Sequence, residues 1–175
     1  GHDGDISFLT SVTQLNVSKM DQTALTIPTT VVSLDITSSR YSSIKGTENV
    51  TRLTIKDDTV SVSPCLQLVR LDLTGVKCTN KAMPFPITTL TTLTVMEIDT
   101  PMVADNFLFP VSLKKLVVSL ESPMKVDVLT RLTNLADLQI TTDDSLDFSP
   151  LTTLTSLNTC CSPIINIPTR LKKCS

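Results

Sequence analysis

The chain has 175 residues, 41% of them apolar, and carries 15 basic against 17 acidic side chains for a formal net charge of -2. So even a balance excludes bulk attraction to nucleic acid or to an acidic membrane surface, and with no Trp, one Tyr and five Phe a base-stacking platform is excluded too. The length suits a single domain with a sizeable core, and no apolar run approaches the ~20 residues that cross a bilayer as a helix.

Taken in chain order, residues 1–8 read as a tag remnant, Gly1-His2, and a short N-terminal lead-in. Residues 9–159 then repeat one phrase, apolar-x-x-Leu-x-apolar, eight times. It runs Val12/Leu15/Val17, Val31/Leu34/Ile36, Val50/Leu53/Ile55, Leu68/Leu71/Leu73, Leu90/Leu93/Val95, Leu113/Leu116/Val118, Leu135/Leu138/Ile140 and Leu154/Leu157/Thr159. Between the second leucines the steps are 19, 19, 18, 22, 23, 22 and 19 residues. A period near twenty means a solenoid, in which each unit buries its apolar face only against its neighbours. Residues 160–175 read as a C-terminal cap or a truncated repeat, because Ile167-Pro-Thr-Arg-Leu171-Lys-Lys-Cys174 restates the opening of a unit.

Alternation within each phrase, as in Leu53-Thr54-Ile55, is the two-residue period of a half-buried strand. Eight such strands would stack at ~4.8 Å each into one parallel sheet. The return segments carry Pro28, Pro64, Pro86, Pro110, Pro150 and Pro168, which favour extended or single-turn 3₁₀ backbone over regular helix. Their apolar residues form a second inward layer that includes Leu25, Ile27, Ile44, Val62, Phe109, Leu132, Leu146, Phe148 and Ile167.

The side chains between the buried leucines are the candidates for binding. In this frame one exposed column contains Arg52, Arg70, Thr92 and Lys115, the next Asp35, Thr54, Asp72 and Thr94, and a third Lys56, Thr74 and Met96. The third and fourth coils stand out, with Arg52, Lys56 and Arg70 beside Asp35 and Asp72. Either these charges pair across adjacent strands and serve solubility, or Arg52 and Arg70 anchor an acidic partner.

Catalytic chemistry has little to work with. The only histidine is His2, in the tag remnant, so nucleophile–histidine arrangements are excluded from the repeats. Four glycines form no phosphate loop, and the five cysteines Cys65, Cys78, Cys160, Cys161 and Cys174 lack zinc spacing. No enzyme, metal or cofactor is expected. Asn16-Val-Ser18 and Asn49-Val-Thr51 are acceptor sequons for glycosylation.

LxxLxL at this period resembles the leucine-rich repeat proteins, over nearly the whole chain from Phe8 to Cys174. Leu129-Thr-Arg-Leu132-Thr-Asn-Leu135 and Leu151-Thr-Thr-Leu154-Thr-Ser-Leu157 are similar to the short repeats of bacterial internalin-type proteins, whereas the Ile-Pro-Thr-Thr-Val lead-in resembles units of amoebal and other microbial-eukaryote proteins. The resemblance implies an α/β-type solenoid dominated by β: a right-handed stack, residues 1–175 as one domain, with a concave parallel sheet and extended or 3₁₀ convex segments. It implies a non-enzymatic module that binds a protein or peptide across the concave face, secreted or as the ectodomain of a membrane receptor. A cytosolic scaffold or regulatory subunit, and the ectodomain of a longer receptor kinase, are the alternatives. It also implies a disulfide-closed end, Cys174 to Cys160 or Cys161, with Cys65–Cys78 as a second candidate pair. The family's Asn ladder is missing: the corresponding positions are Met20, Ser39, Asp58, Val76, Ile98, Glu121, Asp143 and Ser162. That departure leaves room for a neighbouring parallel solenoid such as a β-helix.

Overall fold

The structure, a computed structural model, describes residues 4–18, 23–37, 43–56, 61–62, 65–75, 90–99, 108–119, 127–142, 146–160 and 164–174. It is a parallel β-solenoid. The phrase strands are β2 (Gln14–Ser18), β4 (Ser33–Thr37), β6 (Arg52–Ile55), β8 (Arg70–Thr74), β9 (Val95–Asp99), β10 (Lys115–Ser119), β11 (Asp137–Thr141) and β13 (Ser156–Cys160). With the short β15 (Lys173–Cys174) they form a nine-stranded sheet, every neighbouring pair parallel and every step to the next coil. The restated phrase at the C-terminal end thus pairs as a further coil.

The described return segments are largely extended, in line with the expectation from the prolines. β1 (Gly4–Asp5), β3 (Ala24–Thr26), β5 (Ser43–Lys45) and β7 (Ser61–Val62) form a second, four-stranded parallel sheet, and β12 (Leu146–Asp147) pairs with β14 (Ile164–Ile165). Helix among the described residues is the single turn α1 (Asp127–Thr130).

One continuous apolar core fills the space between these layers. Each coil inserts the apolar residues of its phrase, three in every coil but the eighth, where Thr159 takes the third place, and the middle coils, such as Val50/Leu53/Ile55 and Leu68/Leu71/Leu73, are sealed at 0–1% exposure. Burying one such side chain is worth roughly 1.5–3 kcal/mol, so the stack is held by repetition of a small local term. Leu25, Ile27, Ile44, Val62, Phe109, Leu132, Leu146 and Phe148 supply the opposite wall, as the pattern requires. Ile167 does not, being 50% exposed. Met83, Phe85 and Phe107, expected in the same layer, lie outside the described residues.

Coils turn into the large sheet by a repeated bend in which the first apolar residue of the phrase donates its N–H to the carbonyl three residues earlier. Val31 to Pro28, Val50 to Thr47, Leu68 to Cys65 and Leu154 to Leu151 all do so at 3.0–3.1 Å. Gly46, with φ of +85°, crosses a tight spot: a Cβ there would lie 2.4 Å from the Ile27 carbonyl oxygen. Only glycine satisfies both the angle and the approach.

The fifth coil departs from the frame the leucines suggest. Met96, not Leu93, is in register with Leu71 and Leu116, so the phrase there is Leu93/Met96/Ile98. Leu90-Thr-Thr-Leu93-Thr-Val95-Met96-Glu97-Ile98 contains two overlapping matches, three residues apart. The adopted frame buries Leu90, Leu93, Met96 and Ile98 and leaves only Val95 partly exposed, whereas the other would turn Met96 and Ile98 outward. The larger burial selects the register.

Candidate sheet-face site

This shift rebuilds the outward face. Met96, expected in an exposed column, is fully buried, and Thr92 and Thr94 leave the strand face. Their outward places are taken by Val95, between Arg70 and Lys115, and by Glu97, between Asp72 and Val117. Glu97 is the site residue that the leucine frame misses; the overlapping Leu93/Met96/Ile98 match was the signal that could have found it.

Arg70 and Asp72 are alternate residues of β8, so both side chains leave the same side of the sheet. The Arg70 Nε donates to Asp72 Oδ2 at 3.0 Å, and its Nη2 donates to Glu97 Oε1 at 2.7 Å. The hydrogen bond to Asp72, reinforced by the charges of Asp72 and Glu97 against partial desolvation, holds the guanidinium above its ordinary pKa. Arg70 is therefore ion-paired within the sheet face, to Asp72 of its own strand and Glu97 of the next, as the pairing alternative for these charges expects. Asp72 Oδ1, shut off from solvent, has no hydrogen-bond partner.

The remaining candidates separate. Arg52 is the register partner of Arg70, and among the described residues neither Arg52 nor Lys56 forms an ion pair; both are exposed. Asp35 accepts from the Thr37 hydroxyl at 3.2 Å, and Thr54 sits half-buried between Asp35 and Asp72. Lys115 lies 3.5 Å from Asp137, its own register partner, with both side chains about two-fifths exposed, so that pair is worth a few tenths of a kcal/mol. Over β8 to β11 the face opens into a groove of about 430 Å³. Asp72 and Glu97 line it on β8 and β9, Val117 and Ser119 on β10, and Gln139 and Thr141 on β11.

Thr92 instead belongs to a polar ladder on the turn edge. Hydroxyls immediately before the first apolar residue of a phrase donate to the carbonyl of the first apolar residue one coil back: Thr30 to Val12 at 2.7 Å, Thr92 to Leu68 at 2.8 Å, Ser112 to Leu93 at 2.6 Å and Thr153 to Leu135 at 2.8 Å. The longer amides at the same position reach two carbonyls further back, Asn49 to Thr29 at 2.9 Å and Asn134 to Val111 at 3.1 Å. Turn backbones thus find partners before the strand, where the family pattern looks for them after it. Of the positions examined for an Asn ladder, Ile98 is a buried strand residue and the rest lie outside the described residues.

Neither Cys65 nor Cys160 is in a disulfide, so neither the Cys65–Cys78 nor the Cys160–Cys174 pairing is formed. Cys174 is in register with Leu157, three residues before Cys160 on a strand rising ~3.3 Å per residue, which is too far for a bridge. Burial pushes the Cys65 thiol up to about 11, against a lowering contact from Thr47. Cys78 and Cys161 lie outside the described residues. Asn16 is exposed on β2, and Asn49 and Thr51 of the second sequon both donate within the turn edge. No group of three His, Cys, Asp or Glu among the described residues is placed to hold a metal, and no helix among them is long and apolar enough to cross a membrane.

Compared with known proteins, the chain matches no protein-family model and no curated protein.

Proposed function

We propose that this chain is a non-enzymatic recognition module, a right-handed leucine-rich-repeat-type solenoid that binds a protein or peptide across the outward face of its large sheet. The observation that carries this reading is the contrast between columns. The inward positions are apolar in every phrase except the eighth, which ends in Thr159, while the outward positions mix basic, acidic, amide, hydroxyl and aliphatic side chains along the sheet and open into the groove over β8 to β11. Variable side chains on a rigid, repeated frame are what selective recognition needs. The lone histidine at the extreme N-terminus supports the non-enzymatic part. An extracellular or cell-surface setting follows from the family resemblance and the two sequons. An intracellular scaffold is the second reading, favoured by the absence of a disulfide at Cys65 and Cys160.

Selection of a random displayed-peptide library on the immobilised protein tests the reading. Selected peptides should lose binding to a Val117→Tyr/Gln139→Tyr variant, which fills the groove with residues that suit a strand, and keep it with Lys45→Tyr on the opposite sheet. Peptides insensitive to the groove variant, or a selection that yields none, would overturn it.

A further inference from the structure

We infer that the groove over β8 to β11 is a subsite for a cationic side chain, Arg or Lys, of the bound partner; this rests on the sheet-face reading above and reverses the polarity that the arginines of the third and fourth coils suggest. Charge accounting carries it. Asp72 and Glu97 are register partners on adjacent strands, and Arg70 is the one cation bound to either of them among the described residues. Two carboxylates against one guanidinium leave one negative charge in excess at the groove wall. Like charges facing each other across a parallel pair are unfavourable, and Arg70 relieves only part of that. Asp72 Oδ1 takes no donor and is closed to solvent, so within the protein the carboxylate is met through Oδ2 alone.

The rest of the groove matches the other parts of such a side chain. Along the register row the sequence is Asp72, Glu97, Val117, Gln139, one residue per strand, so the acidic wall gives way to an apolar centre and then to an amide over roughly 14 Å. The methylene stem of Arg or Lys can lie on Val117 with its head at Asp72 and Glu97, which is how these amphipathic side chains bury their length. The hydroxyls of Ser119 and Thr141 line the same space and offer acceptors to the remaining N–H groups. An acidic side chain would meet the same wall with repulsion, which gives the groove its selectivity.

Two probes test the subsite on the full chain by amide NMR: Nα-acetyl-arginine methylamide and its neutral isostere, Nα-acetyl-citrulline methylamide. The arginine probe should shift the amides of Thr74, Ile98, Ser119 and Gln139 and bind at least ~10-fold more tightly than the citrulline probe. Glu97→Gln should weaken it by a similar factor with the melting temperature little changed, Asp72→Asn should do the same, and Arg70→Gln should tighten it. Equal binding of the two probes, no shift at the groove, or equal shifts around Asp137 and Asp147 would overturn the inference. Library peptides that need an open groove but show no enrichment of Arg or Lys would sink the cation subsite and leave the recognition reading intact. An arginine probe that binds the groove when no peptide is selected would do the reverse.

Discussion

Asp72 and Glu97 face each other across β8 and β9, and Arg70 holds both, with hydrogen bonds of 3.0 and 2.7 Å. A guanidinium that bridges two strands locks the register of the fourth coil to the fifth at the point where the repeat is longest, 25 residues from Leu71 to Met96. Arg70→Met keeps the stem and removes the bridge. It should destabilise the protein by about 0.5–1 kcal/mol in urea unfolding at low salt, discounted for the partial exposure of all three side chains. In ~1 M salt most of that difference should disappear, since exposed charges are then screened.

Register in the fifth coil gives the cleanest core prediction. With Met96 buried and Val95 half-exposed, Met96→Ala should cost about 2–5 kcal/mol and Val95→Ala less than ~1 kcal/mol. The Leu90/Leu93/Val95 frame requires the reverse order, so paired denaturant melts of the two variants decide between them.

On the turn edge, the Ser112 hydroxyl donates to the Leu93 carbonyl at 2.6 Å, with the Leu90 carbonyl also within reach at 3.0 Å. Ser112→Ala should cost about 1 kcal/mol and speed hydrogen exchange in the flanking coils. Thr133 is exposed one position earlier in the following coil, and Thr133→Ala should change stability by no more than ~0.5 kcal/mol. Equal effects would show that the ladder contributes nothing.

Cys65 makes a pH prediction. Its folded pKa of about 11 lies above the ordinary 9.0, so between those values the unfolded chain has lost a proton that the folded chain keeps. Stability contributed by the neutral thiol is complete below pH 9, falls as pH rises towards 11, and changes no further above it. Cys65→Ala should flatten that alkaline limb. In the native protein at neutral pH a thiol reagent should label Cys160, which is exposed, and spare Cys65.

Most of the architecture was legible in the leucines because the buried columns are chemically uniform. Leu15, Leu34, Leu53 and Leu71 pair in the register their spacing implies, and so do Leu116, Leu138 and Leu157. The fifth coil was not legible, because spacing alone cannot rank two overlapping frames; that takes the area each one buries in three dimensions. The error mattered more for the site than for the fold. A three-residue slip moved Glu97 out of the outward columns and hid its pairing with Arg70. Residue types of the ladder, Thr30, Asn49, Thr92, Ser112, Asn134 and Thr153, were plain to read, but their use depends on which carbonyls the preceding coil brings within reach.

The claim that the outward face of β8 to β11 is the recognition surface is tested most directly by an NMR footprint of a library-selected peptide on the labelled full chain. The account predicts shifts concentrated at Asp72–Thr74, Glu97–Ile98, Val117–Ser119 and Gln139–Thr141, lost with Val117→Tyr/Gln139→Tyr. Shifts concentrated on Ala24–Thr26 and Ser43–Lys45, or along the Thr30–Thr153 turn edge, would contradict it.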